Sequence, residues 1–189
     1  MSPAARTDKA REHALAILHS VERGGFADPL LDAARRGLDA RDSAFLLELV
    51  TGVLRNRSLL DWTLDRFSVK PVSRTDARTR NILRLGAYQL LHLDRVPASA
   101  AVNTSAELAK QHGTKSGYVN GLLRTLDRSR DSIPLPAPDN PLSRLSTIYS
   151  HPPWLVRRWI DRFGLRTAED ALRSNNHHAP LVLRTNVIK

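Results

Sequence analysis

The 189-residue chain contains no cysteine. That excludes disulfides, thiolate metal sites and cysteine nucleophiles within it. It also lacks any run of about 18 apolar residues, so it offers no membrane-spanning segment. The first residues, MSPAARTDKAREHA, carry charge where a secretory signal needs an apolar stretch, and a cytoplasmic protein is the expectation. Aromatic residues make up only 5% of the chain. No glycine-rich cofactor loop is present either. Gly24-Gly25 precedes Phe26 and fits a helix end better than a phosphate cradle.

Groups that could converge for catalysis are equally scarce. None of the seven histidines has the HExxH or HxxxH spacing that sets two metal ligands on one helix face. His177-His178 would point apart in a helix or a strand, which suits solvation and no metal. Asp61 and Asp65 lie one helical turn apart with Arg57 and Arg66 nearby, a pattern read as a solvated salt-bridge ladder. The chain by itself does not read as an enzyme.

What it has is positive charge. Lys and Arg number 29 against 19 Asp and Glu, a formal net charge of +10. The surplus runs through both halves and favours polyanionic partners, nucleic acid above all. Arg66, Lys70, Arg74, Arg78, Arg80 and Arg84 cluster against a single acid, Asp76. Arg55 and Arg57 flank Asn56, and Arg6, Lys9 and Arg11 stand off the apolar stripe of the first helix. Each group alone also suits a solvated face. Three on one helical domain point to phosphate contacts, with Arg6, Lys9, Arg11, Arg55, Arg57, Arg74, Arg78, Arg80 and Arg84 as candidates. Trp62 and Tyr88 are placed like core residues, so backbone charge should carry most of any RNA affinity.

The organisation is helix after helix. Ala10, Ala14, Ile17, Leu18 and Val21 form one amphipathic stripe ended by Gly24-Gly25. Asp28-Pro29 reads as an N-cap and first helical residue of a short helix through Arg36. Asp39 with Asp42 resembles a capping box before Leu46, Leu49, Val50 and Val53. That pattern runs on past a bend near Asn56 to Phe67, where Pro71 breaks it and SRTD (73–76) restarts it. In RNILRLGAYQLLHL the apolar residues point almost all round, as in the centre of a bundle. Gly86 within it suggests close approach of a neighbouring helix. Helices from Pro97 to Lys110 and from Ser116 to Arg128 complete an all-α region without a strand pattern.

Beyond residue 130, DSIPLPAPDNP carries four prolines and reads as an extended linker over 131–143. In the run that follows, Trp154, Leu155, Trp159, Ile160 and Phe163 are expected to gather on one side, with Gly164 as terminator. TAED (167–170) caps another short helix. APLVLRTNVIK (179–189) then has the β-branched look of a strand that opens a sheet.

Several stretches together carry a resemblance. LLELVTGVLRNRSLLDWTLDRF (46–67), ILRLGAYQLLHLDRVPASAAVN (82–103), AELAK (106–110) and YVNGLLR (118–124) occur in the order and spacing of the NusB-type helical RNA-binding domain. SHPPWLVRRWIDRFG (150–164) and NNHHAPLVLRTN (175–186) resemble the segment joining that domain to the catalytic part of RsmB-type ribosomal RNA cytosine-5 methyltransferases. The resemblance implies an all-α NusB-like bundle of two packed sub-bundles over 1–130, then the helical start of an α+β domain over 144–189. It implies small-subunit ribosomal RNA as partner, and S-adenosylmethionine as cofactor of the parent enzyme with none bound by this chain. A free-standing NusB-like antitermination factor that binds RNA and a ribosomal protein is the alternative. Asn103 and Asn120 match recurrent polar positions, read as buried amides at helix crossings. Thr104 stands where the family commonly has Glu.

Overall fold

The central helix is the one whose apolar residues point all round. In the computed structural model, which describes residues 8–136, 140–177, 182, 184 and 185, it spans Ala77–His92, and residues 81–90 are all buried. Before it in the chain come α1 (Lys9–Glu22), α2 (Ala27–Arg35), α3 (Ala40–Arg55) and α4 (Arg57–Phe67), so the central helix is α5. After it come α6 (Ala98–Gln111), α7 (Ser116–Ser129), α8 (Pro141–Ile148), α9 (Pro153–Phe163) and α10 (Leu165–Asn176). The described residues contain no strand.

Two sub-bundles share α5. On one side α1 and α3 pack on it and on each other, with α2 lying against α1 and α3; on the other α4, α6 and α7 pack on it, and α7 touches both α4 and α6. Gly86 allows that approach. A Cβ there would lie 2.8 Å from Ser105 Oγ on α6 and closer still to Leu123 on α7. A second, smaller core of Leu145, Val156 and Leu172 joins α8, α9 and α10, and α8 packs on α4.

The two parts also meet through one hydroxyl. The break at Asn56 leaves α4 without a side-chain cap, because the Asn56 amide donates back to Gly52 O at 2.9 Å. Ser150, at φ 54, supplies the missing acceptor: its Oγ takes the Ser58 N–H at 3.0 Å and the Leu59 N–H at 3.4 Å. A residue from the second part thus caps a helix of the first.

Local chemistry moves several expected boundaries. Phe26 is the N-cap of α2, so Asp28 and Pro29 fall inside its first turn, where proline's missing N–H costs nothing. Asp39 does cap α3, accepting from Asp42 N at 2.8 Å. The cap of α5 is Asp76, not Ser73: it accepts from Thr79 N at 2.8 Å and Oγ1 at 2.6 Å, while Val72–Arg74 form a 3-10 turn. α8 begins at Pro141, inside the expected linker, with Asn140 as its cap. α10 begins at Leu165, ahead of TAED, directly after Gly164 at φ 78.

Two larger corrections concern side chains. Val156 is the buried residue of α9 and Trp159 and Ile160 pack with it on the small core, whereas Trp154 and Phe163 are 65% and 51% exposed and take no part in that core. Asn103 is exposed, and Asn120 is half-buried and accepts from Arg124 Nε at 3.0 Å, so neither is a buried amide. Of the expected strand, Val182, Arg184 and Thr185 have no regular secondary structure and the remainder lies outside the described residues, as do Arg6 and His178.

Candidate nucleic-acid interface

Three helices begin at one groove. Asp8 and Lys9 open α1, Asp39 and Arg41 open α3, and Pro97 opens α6; all five line a groove of about 710 Å³. The start of α6 has no side-chain cap and presents N–H groups and the positive end of a helix dipole, which suits an anion; α1 and α3 start on aspartate caps. Lys9, Arg41 and Arg95 line it as exposed cations.

The acids of the groove are engaged locally. Asp8 caps α1 and pairs with Arg11, and Asp39 caps α3. Asp42 sits in the first turn of α3, where the dipole favours a carboxylate. Arg11, expected to stand off the apolar stripe, instead belongs to the groove floor. It is 8% exposed, donates from Nε to Gln89 Oε1 at 2.7 Å, and lies 4.8 Å from the Phe45 ring centroid.

Arg84 is likewise a structural residue. It is 5% exposed and grips Asp61 through two bonds of 2.7 Å, Glu22 at 2.5 Å and Asn81 Oδ1 at 2.9 Å. Arg80 reaches the same Glu22 with two bonds of 3.2 Å and also donates to Thr75 O and Ser73 O. Burial works to raise the Glu22 carboxyl, but the hydrogen bonds and charges of Arg80 and Arg84 outweigh it and hold the group below the usual carboxylate range. The ladder expected of Asp61 and Asp65 therefore does not exist: Asp61 serves Arg84, and Asp65 accepts the Val72 N–H at 2.6 Å. An Arg and two acids tie α1, α4 and α5 together.

The remaining candidates divide by position. Lys9, Arg57, Arg74 and Arg78 are exposed. Arg55 is half-buried, close enough to Tyr88 for its charge to act on that hydroxyl. Burial, then the bond to Glu48 at 2.5 Å, drive the Tyr88 pKa up, which keeps the phenol neutral. Tyr88 is buried as expected; Trp62 is only half-buried, with the Arg66 guanidinium 5.0 Å from its ring centroid. Of the three clusters seen in sequence, the groove takes Lys9 and Arg11. Its other cations, Arg41 and Arg95, stand far from Lys9 in the chain, and only the fold brings them together. Among the described residues no group of three or more His, Asp or Glu could hold a metal, and no helix is long and apolar enough to cross a membrane.

Comparison with known proteins decides the family. The profile of the NusB family matches residues 8–128, the span of α1 to α7. The chain belongs to the NusB family. Beyond the NusB domain, residues 151–189 match the ferredoxin-like domain of RsmF/B-like methyltransferases. Curated relatives include a probable ribosomal RNA small subunit methyltransferase B of Synechocystis, 36% identical over 95% of this chain and 41% of the relative. The corresponding Bacillus subtilis protein is 34% identical over the same shares. The chain spans about two fifths of the length of these relatives. The crystal structure of antitermination factors NusB and NusE with dsRNA shares the NusB fold, at TM-score 0.59 and 20% identity over 65% of this chain and 96% of that one. The structure of PH0851 aligns over 91% of this chain and 39% of its own, at TM-score 0.67 and 19% identity.

Proposed function

We propose that this chain is the RNA-holding front part of a small-subunit ribosomal RNA cytosine-C5 methyltransferase. In this reading the groove of Lys9, Arg41 and Arg95 takes the phosphate backbone, and the methyl group comes from S-adenosylmethionine bound elsewhere in the protein. The thiolate that attacks the exposed base also comes from outside this cysteine-free sequence. The carrying observation is the groove, where three exposed cations converge beside the uncapped start of α6. Arg6, Arg55, Arg57, Arg74 and Arg78 remain as further RNA contacts in the proposal; Arg11, Arg80 and Arg84 act through the fold. The ferredoxin-like match after the NusB domain favours this reading over a free-standing antitermination factor that pairs with a ribosomal protein.

The test is charge reversal in the groove. Lys9→Glu with Arg41→Glu and Arg95→Glu should weaken binding to a small-subunit rRNA fragment by at least tenfold and leave helical content unchanged. Undiminished affinity would move the site to the Arg74 and Arg78 face.

A further inference from the structure

α9 presents a basic aromatic face that the NusB domain does not account for. Val156 is fully buried and Ile160 and Trp159 are half-buried against the small core, which fixes the rotation of the helix. The opposite side then carries Trp154, Arg157, Arg158, Asp161 and Arg162, all exposed. Trp154, Arg158 and Arg162 follow one another at four-residue steps, so their side chains stand in a row. Asp161 is the one acid on that face. Among the described residues none of the three arginines has an ion pair, and Arg162 lies 5.5 Å from the Phe163 ring centroid.

An indole left 65% exposed among unpaired guanidinium groups is poorly suited to a dry protein contact, which would have to desolvate those charges. It suits an unpaired nucleotide. A base stacks on the indole whatever its sequence, and the arginines meet the flanking phosphates. We infer that this face of α9 is a second RNA contact, one that stacks a single-stranded base on Trp154 and holds the adjoining backbone through Arg157, Arg158 and Arg162. The inference rests on the RNA-holding reading and adds to it a preference for single strands at a defined place.

The experiment uses the 189-residue chain with a labelled oligouridylate and a duplex RNA of equal length. Trp154→Ala should weaken oligouridylate binding about tenfold and duplex binding less than twofold. Trp154→Phe should keep affinity within about threefold of wild type, because a phenyl ring still stacks. Wild-type tryptophan fluorescence should fall on RNA addition, and most of that change should vanish in Trp154→Phe. Arg158→Gln with Arg162→Gln should reduce the dependence of log K on log salt by about 1.4.

Oligouridylate affinity unchanged in both Trp154→Ala and the double glutamine variant overturns the inference. If the groove variant then loses RNA, the RNA-holding reading survives without it. Loss in Trp154→Ala with an unaffected groove variant supports this contact and removes the groove. A wild-type dimer that Trp154→Ala abolishes, at unchanged RNA affinity, would make the face a protein contact and overturn the inference too.

Discussion

Replacing Arg84 by methionine separates a structural arginine from an RNA-binding one. The guanidinium holds Asp61 through a bidentate pair at 2.7 Å and Glu22 at 2.5 Å, and it is 5% exposed. Removing one partner of a buried ion pair costs about 3–5 kcal/mol, since the other charges are left desolvated. Asp61 and Glu22 keep 30% and 16% of their side-chain surface, and Glu22 retains Arg80. Solvent and the second arginine therefore soften the loss, and about 3 kcal/mol is the expectation. For a chain of this size that lowers the melting temperature by roughly 6–12 °C.

The acid limb adds a second signature. Glu22 is depressed from its ordinary 4.5, so its contribution is full above that value and is lost as pH falls through the native value. The stability gap between wild type and Arg84→Met should accordingly narrow below about pH 4.5. Thermal unfolding by circular dichroism, repeated across pH, reads both. A melting shift under about 2 °C, together with weakened RNA binding by the folded variant, would refute the structural role.

Three other outcomes follow from the fold. Gly86→Ala removes a helix-weakening glycine yet drives a Cβ into Ser105 and Leu123, so overpacking should win by about 1–3 kcal/mol in urea unfolding; a more stable variant would mean that α6 and α7 sit farther off. Ser150→Ala should cost about 1 kcal/mol and speed exchange of the Ser58 and Leu59 amides. Unaltered exchange at those amides would show that the cap across the two parts does not form in solution. Incubated with S-adenosylmethionine and small-subunit rRNA, the 189-residue chain should transfer no methyl group; turnover would place catalysis within it.

How much of this was legible in the sequence depended on whether the signal was local. Periodicity finds α5 because burial on every side leaves no polar stripe, and it finds the Asn56 break, where an amide turns back to Gly52. Caps are less secure, since SRTD and TAED satisfy a spacing rule without setting the boundary: Asp76, the last residue of SRTD, caps α5, and α10 starts after Gly164 with no side-chain cap. The charge clusters misled for a different reason. Composition counts an arginine as free until its partner is known, and the partners of Arg84 and Arg80 are Glu22 and Asp61, on other helices. The same limit hid Arg41 and Arg95, which join Lys9 only when α1, α3 and the α5–α6 turn meet. Trp154 was grouped with its apolar neighbours on α9, while the short α8–α10 unit packs Val156 with Ile160 and Trp159 and leaves Trp154 outside.

The most direct test of RNA holding by the groove is the salt dependence of binding to a single-stranded small-subunit rRNA fragment. It is measured for the wild type and for the variant with Lys9, Arg41 and Arg95 all changed to Glu. Each phosphate neutralised, with release of its counterions, should contribute about 0.7 to the slope of log K against log salt. The wild type should therefore show a slope steeper than about −2, and the variant should be flatter by about 2 and bind at least tenfold more weakly. A salt-independent wild type, or a variant indistinguishable from it, would contradict the account.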